Sequence, residues 1–360
     1  MGLRLVRFKE DWLEAKERLK AWWDGEIIDR PVIQVTAPHK GLISGAVWDS
    51  WSFMRYPDDL TIGVRGFERS CEDTFFGGEA YPNLWVNLGP GIMAAYVGAS
   101  PRFRPDSETV WFETPKPWEE LQSLEYDPKN RWWLLTKQIA SMAIEAAEGR
   151  FMVGTTDLGG ILDIAASLRG SQNLILDLFK HPKEVRNLCD RILELWHRYY
   201  EELHRLIGAR MEGSSTWMGI WSPKQWYSIQ CDFSAMLSPR QFKEFVLPDL
   251  KAHCERLDHT IYHWDGPDQI PHLDHLLSIP ELSGIQWTPG AGQSSVDASV
   301  WFPLYRRIQE KGKLLVLLGV QRQTVKYLLK SLSPKGLLIR TACTTEEEAR
   351  DLLEKAKEWT

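Results

Sequence analysis

From Phe151 onward the sequence repeats one unit: a short β-branched or apolar run, then a longer segment with apolar residues at helical spacing. No other feature constrains the fold as much. Strands that alternate with helices lie parallel, because each crossover helix returns the chain to the same end of the sheet, and such crossovers are right-handed. The strand-like runs are 151–156, 214–220, 259–264, 283–287, 313–318 and 336–341. Two earlier runs, 32–36 and 84–88, bring the number to eight. Eight units that close on themselves form a (β/α)8 TIM barrel, an α/β fold. An open doubly wound sheet is the alternative arrangement of the same units. No linker or internal repeat divides the chain, so one domain is expected over 1–360.

The segments between the runs read as follows. Trp12, Ala15, Leu19, Trp22 and Trp23 mark an N-terminal amphipathic helix over 9–25. Helices are expected over 128–147, from Pro182 to about Leu206, after Ser238-Pro239, and over 268–277, 299–311, 321–331 and 345–358. Ser followed by Pro supplies an N-cap and a first helical residue that needs no N–H partner. The stretches 39–83 and 92–118 hold glycine, proline and aromatics without a period, and read as irregular insertions in the first two βα units.

Composition narrows the function. The net charge is −6 and no basic run stands out, which argues against a nucleic-acid partner. The cysteines, Cys71, Cys189, Cys231, Cys254 and Cys343, are odd in number and scattered, the pattern of a reducing compartment without a disulfide framework. No apolar run reaches the roughly 18 residues of a membrane span, and the leading residues become charged at once. The expectation is a soluble, cytoplasmic protein that contacts no membrane. Tryptophan occurs 18 times, often outside any helical stripe, and its flat apolar face suits the wall of a small-molecule cavity.

In a barrel the active site lies at the C-terminal ends of the strands. That rule turns the strand assignment into a list of candidates. Asn87 ends the second strand and Asp157 the third. The fourth leads through Trp217 to Trp221, with Cys231-Asp232 in the loop beyond. His263, Trp264 and Asp265 end the fifth, Gln286 and Trp287 the sixth, and Arg340 to Cys343 the eighth. His263 and Asp265 are two apart and therefore point the same way. Together with Cys343 they could supply three protein ligands and leave an open position, the catalytic zinc pattern. Without a metal, His263 beside Asp265 or Asp232 could act as a general base. Asp157 is either a substrate contact or the cap of the next helix. Asn87, Trp217, Trp221, Trp264, Gln286 and Trp287 are the expected substrate contacts. His272 and His275 are expected at the surface of the following helix. No dinucleotide or phosphate loop and no nucleophile elbow is present.

The segments "RLKAWWDGEIIDRPVIQV", "CDFSAMLSPRQFKEFVLPDLKAH", "YHWDG", "GIQWTPG" and "LLVLLGV" resemble the uroporphyrinogen decarboxylase superfamily, over roughly 12–358. That superfamily includes zinc-dependent, corrinoid-linked methyltransferases. The decarboxylase proper has an arginine-rich segment after its first strand, where this chain reads "QVTAPHKG". Its second-strand aspartate is here Asn87, and its histidine after the eighth strand is replaced by "TACTT". Uroporphyrinogen decarboxylation is therefore not expected. The methyltransferases use His-x-Cys and a later Cys as zinc ligands. Here the matching positions are His263-x-Asp265 and Cys343. The resemblance implies zinc-dependent methyl transfer or related chemistry on a small molecule and a corrinoid carried by a partner protein; a homodimer is a separate expectation. A lyase or decarboxylase built on His263 with Asp232 or Asp157, and a non-catalytic binding module, are the alternatives.

Overall fold

The computed structural model describes residues 7–39, 48–112 and 114–360. In chain order its strands are β1 (Val32–Pro38), β2 (Thr74–Gly78), β3 (Asn83–Trp85), β4 (Pro101–Arg104), β5 (Thr109–Phe112), β6 (Met152–Gly154), β7 (Trp226–Gln230), β8 (His259–Asp265), β9 (Gly284–Thr288), β10 (Leu314–Val320) and β11 (Leu337–Ala342). β10 is the apolar run LLVLLGV, and it stands at the centre of a seven-stranded sheet of order β2-β1-β11-β10-β9-β8-β7. A strand covered on both faces needs apolar side chains at nearly every position, not an alternation. Leu314 to Leu317 are accordingly all buried.

Within this sheet every pairing is parallel except that of β2 with β1. β3 and β6 form a separate parallel pair, and Thr155, just after β6, bridges in parallel to Thr216. β4 and β5 make an antiparallel hairpin. The result is a mixed α/β fold with a mostly parallel central sheet. Among the described residues the hydrogen-bonded ladder runs from β2 to β7 and does not close.

The fourth strand differs from expectation. The run 214–220 is not a strand beyond the Thr216 bridge. Ser214 and Ser222 exchange backbone hydrogen bonds of 2.8 and 2.9 Å, and Gly219 takes φ +66° between them, so the segment folds back on itself. β-branched and aromatic composition imitates a strand here, but a left-handed residue near its end breaks the extended run. The strand that joins the sheet is β7, WYSIQ, just beyond Pro223. The stretches read as irregular also hold structure: a helix at Thr61–Glu72, β2, and the β4–β5 hairpin. Positions 40–47 of the first stretch lie outside the described residues.

The helices follow their sequence signals. Trp12–Trp23 buries Trp12, Ala15, Leu19, Trp22 and Trp23. Pro182–Gly208 is the longest helix, and Glu346–Trp359 starts at Thr345, whose side chain accepts from Glu348 N. Ser238 caps the helix that Pro239 opens and accepts from Gln241 N. No described helix is long and apolar enough to cross a membrane.

Candidate functional site

The site grows out of the register of three neighbouring strands. Gln230 at the end of β7 lies opposite His263 on β8, and His263 lies opposite Gln286 on β9. Asp265 is level with Thr288. Asp232 comes two residues after Gln230, in the first turn of a short 3-10 helix, Asp232–Met236. One ligand atom from each of Asp232, His263 and Asp265 lies within 4.8 Å of the others. Asp232 is exposed, while His263 and Asp265 are half-buried.

Gln286 fixes the tautomer of His263. Its Nε2 donates to Trp287 O and to Thr288 Oγ1, each at 2.8 Å. The amide oxygen, which can only accept, therefore faces His263 Nδ1 and forms a short hydrogen bond with it. Nδ1 carries the proton in the neutral ring, and Nε2 keeps a lone pair free for a proton or a metal. Trp217 holds the ring from the side, edge-on at 5.4 Å and 90°.

A group of carboxylates surrounds the histidine. Asp163 lies outside the candidates that the strand ends supply, yet it carries the turn that presents Asp232. Its two oxygens accept from Asp232 N at 3.0 Å and Phe233 N at 2.7 Å. The signal was an aspartate inside the apolar run GGILDIAASL. Burial pushes Asp163 up to about 7, and the Asp232 charge adds to the shift. Burial likewise pushes Asp157 up to about 6, against the N–H groups of Gly159 and Gly91 and the nearby His263, which pull it down. Asp157 Oδ1 accepts from Gly159 N at 2.9 Å, so it braces a turn while facing the same mouth. Asp232 is raised too. Protein crowded around it is the first cause, although its edge reaches solvent, and the charges of Asp265 and Asp157 are the next.

Beside the trio opens a cavity of about 520 Å³, lined by Tyr81, Asn83, Trp85, Trp217, Arg340 and Cys343 among others. Trp217 belongs to both places: it lines the cavity and touches His263. Cys343 does not join the trio. Among the described residues its sulfur completes no such group with His263 and Asp265, and Asp232 takes the third position. Cys343 lies at the cavity wall, its N–H donating to Thr36 O at 2.8 Å, and burial pushes its thiol up to about 11.

Other expected contacts are placed elsewhere. Trp264 is buried and donates to Gln269 O at 3.0 Å, which puts it on the helix side of the sheet. It packs against Trp287, which packs against Trp301, and neither Trp264 nor Trp287 lines the cavity. The cause is strand alternation, since Trp264 stands between His263 and Asp265. Trp221 donates to Glu212 O at 2.8 Å and packs edge-on against Trp12 of the N-terminal helix. Asn87 is buried in its own turn, its Oδ1 accepting from Gly89 N at 3.0 Å, and Asn83 lines the cavity instead. Gln286 supports His263 from the sheet. His272 is not a surface residue: it is fully buried, stacked on Phe242, with Nε2 against Ser234 O at 2.9 Å. His275 is also stacked with Phe242, at 5.9 Å between ring centres, and is half-buried.

No protein-family model matches the chain, and no curated protein does. Among solved structures, a methyltransferase from Methanosarcina mazei is similar in fold, with a TM-score of 0.63. Its sequence identity is 14%, and the match covers 96% of this chain and 98% of that one.

Proposed function

We propose that this chain is an enzyme of the uroporphyrinogen decarboxylase type, built on a (β/α)8 barrel, that holds one zinc ion on Asp232, His263 and Asp265. Its reaction is methyl transfer, or closely related group transfer, on a small molecule in the adjoining cavity. The observation that carries this reading is the convergence of one imidazole and two carboxylates, one ligand atom of each within 4.8 Å of the others, where neighbouring parallel strands end. Three protein ligands with an open position are the pattern of a catalytic zinc site.

The residues suit such an ion. Burial, and after it the charges of Asp265 and Asp157, hold Asp232 high, and a dication would relieve the repulsion. When bound, the ion would polarise the substrate's heteroatom and lower its pKa. A set of one imidazole and two carboxylates is harder than a thiolate-rich one, which favours an oxygen over a sulfur partner. Gln286 keeps His263 in the ligating tautomer, Asp163 holds the Asp232 turn, and Trp217 connects the histidine to the cavity wall. The full-length likeness to a methyltransferase supports the reaction class. A corrinoid on a partner protein would be the methyl carrier.

One observation favours a second reading. Asp157, at about 6, is poised near neutrality and close to His263, as an acid–base pair for metal-free lyase chemistry would require. Elemental analysis after dialysis against zinc separates the two. The expected result is a single equivalent of zinc, lost in Asp232→Asn and in His263→Ala and retained in Cys343→Ser. No retained zinc in the unaltered chain overturns the metal reading.

A further inference from the structure

Arg340 lies on β11 beside Gln34 of β1, half-buried at the wall of the cavity next to the trio. Two of its three nitrogens are spoken for. Nε donates to Gln34 Oε1 at 2.8 Å, and Nη2 donates to Gly219 O at 3.2 Å and, more closely, to Met218 O. These acceptors are neutral. Among the described residues Nη1 has no acceptor, and no carboxylate comes within the 4.0 Å of an ion pair.

That isolation is unusual in this chain. Arg18, Arg30, Arg150, Arg169 and Arg186 are likewise withdrawn from solvent, and each faces a carboxylate. Withdrawing a cation from water without an anion beside it is unfavourable. Burial lowers the Arg340 pKa to about 10, so the group is still a cation at neutral pH. The protein holds it in place all the same. A Cβ on Gly219 would come within 3.0 Å of Nη2, so the backbone closes tightly over the guanidinium.

Among the described residues the wall is otherwise neutral, and Arg340 is the charged side chain on it. Two more polar atoms of lining residues, Trp217 Nε1 and Asn83 Oδ1, are sealed from solvent without a partner. Trp85 and Tyr81 add flat apolar and aromatic surface.

We infer that Arg340 anchors a single negative charge on the substrate, a carboxylate, whose apolar body lies against the aromatic wall formed by Trp217, Trp85 and Tyr81. The inference rests on reading this cavity as the substrate site of the proposed enzyme. One cation with one free nitrogen matches a monoanion, whereas a phosphate dianion would lack a second cation.

The test uses benzoate, its neutral isostere benzamide, and phenyl phosphate, titrated calorimetrically into the full chain. A chelator is present, so that no metal can bind the carboxylate. The expected result is saturable benzoate binding, at least tenfold weaker binding of benzamide, and no gain for phenyl phosphate. Arg340→Met should remove the preference for benzoate and Arg340→Lys should keep part of it. The comparison of probes on the unaltered chain stands even if Arg340→Met fails to fold. Equal binding of benzoate and benzamide, tighter phenyl phosphate, or no binding of any probe overturns the anchor. Zinc content, measured separately, tells the two proposals apart. Benzoate preference without zinc retention strikes the metal reading alone, and zinc retention without benzoate preference strikes the anchor alone.

Discussion

Replacing Gln286 by leucine tests how the site is organised, because Gln286 can touch a metal only through His263. The amide is 2% exposed and donates to Trp287 O and Thr288 Oγ1, while its oxygen faces His263 Nδ1. Leucine fills a similar volume but has no acceptor. The Nδ1–H then loses its partner, and the ring loses its preference for the tautomer that leaves Nε2 free. An unsatisfied buried donor costs about 1–3 kcal/mol, which should appear as lower stability. Loss of an orienting partner behind a metal-bound histidine weakens metal binding about 10–100-fold, or roughly 1.4–2.8 kcal/mol. Competition against a chromophoric zinc chelator gives the affinity, and urea unfolding in a separate chelator gives the stability. The account predicts that both fall. A Gln286→Leu protein that is less stable but binds zinc as tightly as the unaltered chain would refute the orienting role and reduce Gln286 to packing.

Two further predictions concern stability. Glu79 is fully buried, with oxygens 2.7 and 2.9 Å from the Arg30 guanidinium nitrogens and 2.8 Å from Ile33 N. Glu79→Gln leaves Arg30 without its counter-charge and should cost about 3–5 kcal/mol in urea unfolding, with zinc affinity unchanged; a loss below about 1 kcal/mol contradicts the pair's importance. Asp157 and Asp163 are raised to about 6 and about 7 from 3.8. Between the unfolded and folded values the native chain holds protons that the unfolded chain has released, so the stability these groups contribute is present in acid and lost as pH rises through that window. In Asp163→Asn, the metal-free protein should lose less stability between about pH 5 and about pH 8 than the unaltered chain does; an equal or steeper loss contradicts the assignment.

The sequence carried most of the strand order of the second half, for a physical reason. β10 and β11 open on runs buried at successive positions, and burial writes itself there as apolar stretches that need no partner to be recognised. β7 was hidden because WYSIQ is short and follows Pro223, while 214–220 imitates a strand in composition and is broken only by the φ of Gly219. His263 and Asp265 were legible from period-2 alternation. The same alternation places Trp264 on the opposite face, and it also separates Trp287 from Gln286. Asp232 and Asp163 could not be read together from the sequence, since two helices and a strand separate them and only the fold brings the Asp163 carboxylate under the Asp232 turn. Arg340 shows the same limit: its lack of a counter-ion is a property of every element around it, not of its own strand.

The most direct test of the central claim is a crystal of the zinc-soaked protein with anomalous diffraction recorded on both sides of the zinc edge. The account predicts one strong anomalous peak in contact with Asp232, His263 and Asp265, with Cys343 outside the coordination shell. A peak bound to Cys343 in place of Asp232, or no peak at that position, would contradict it.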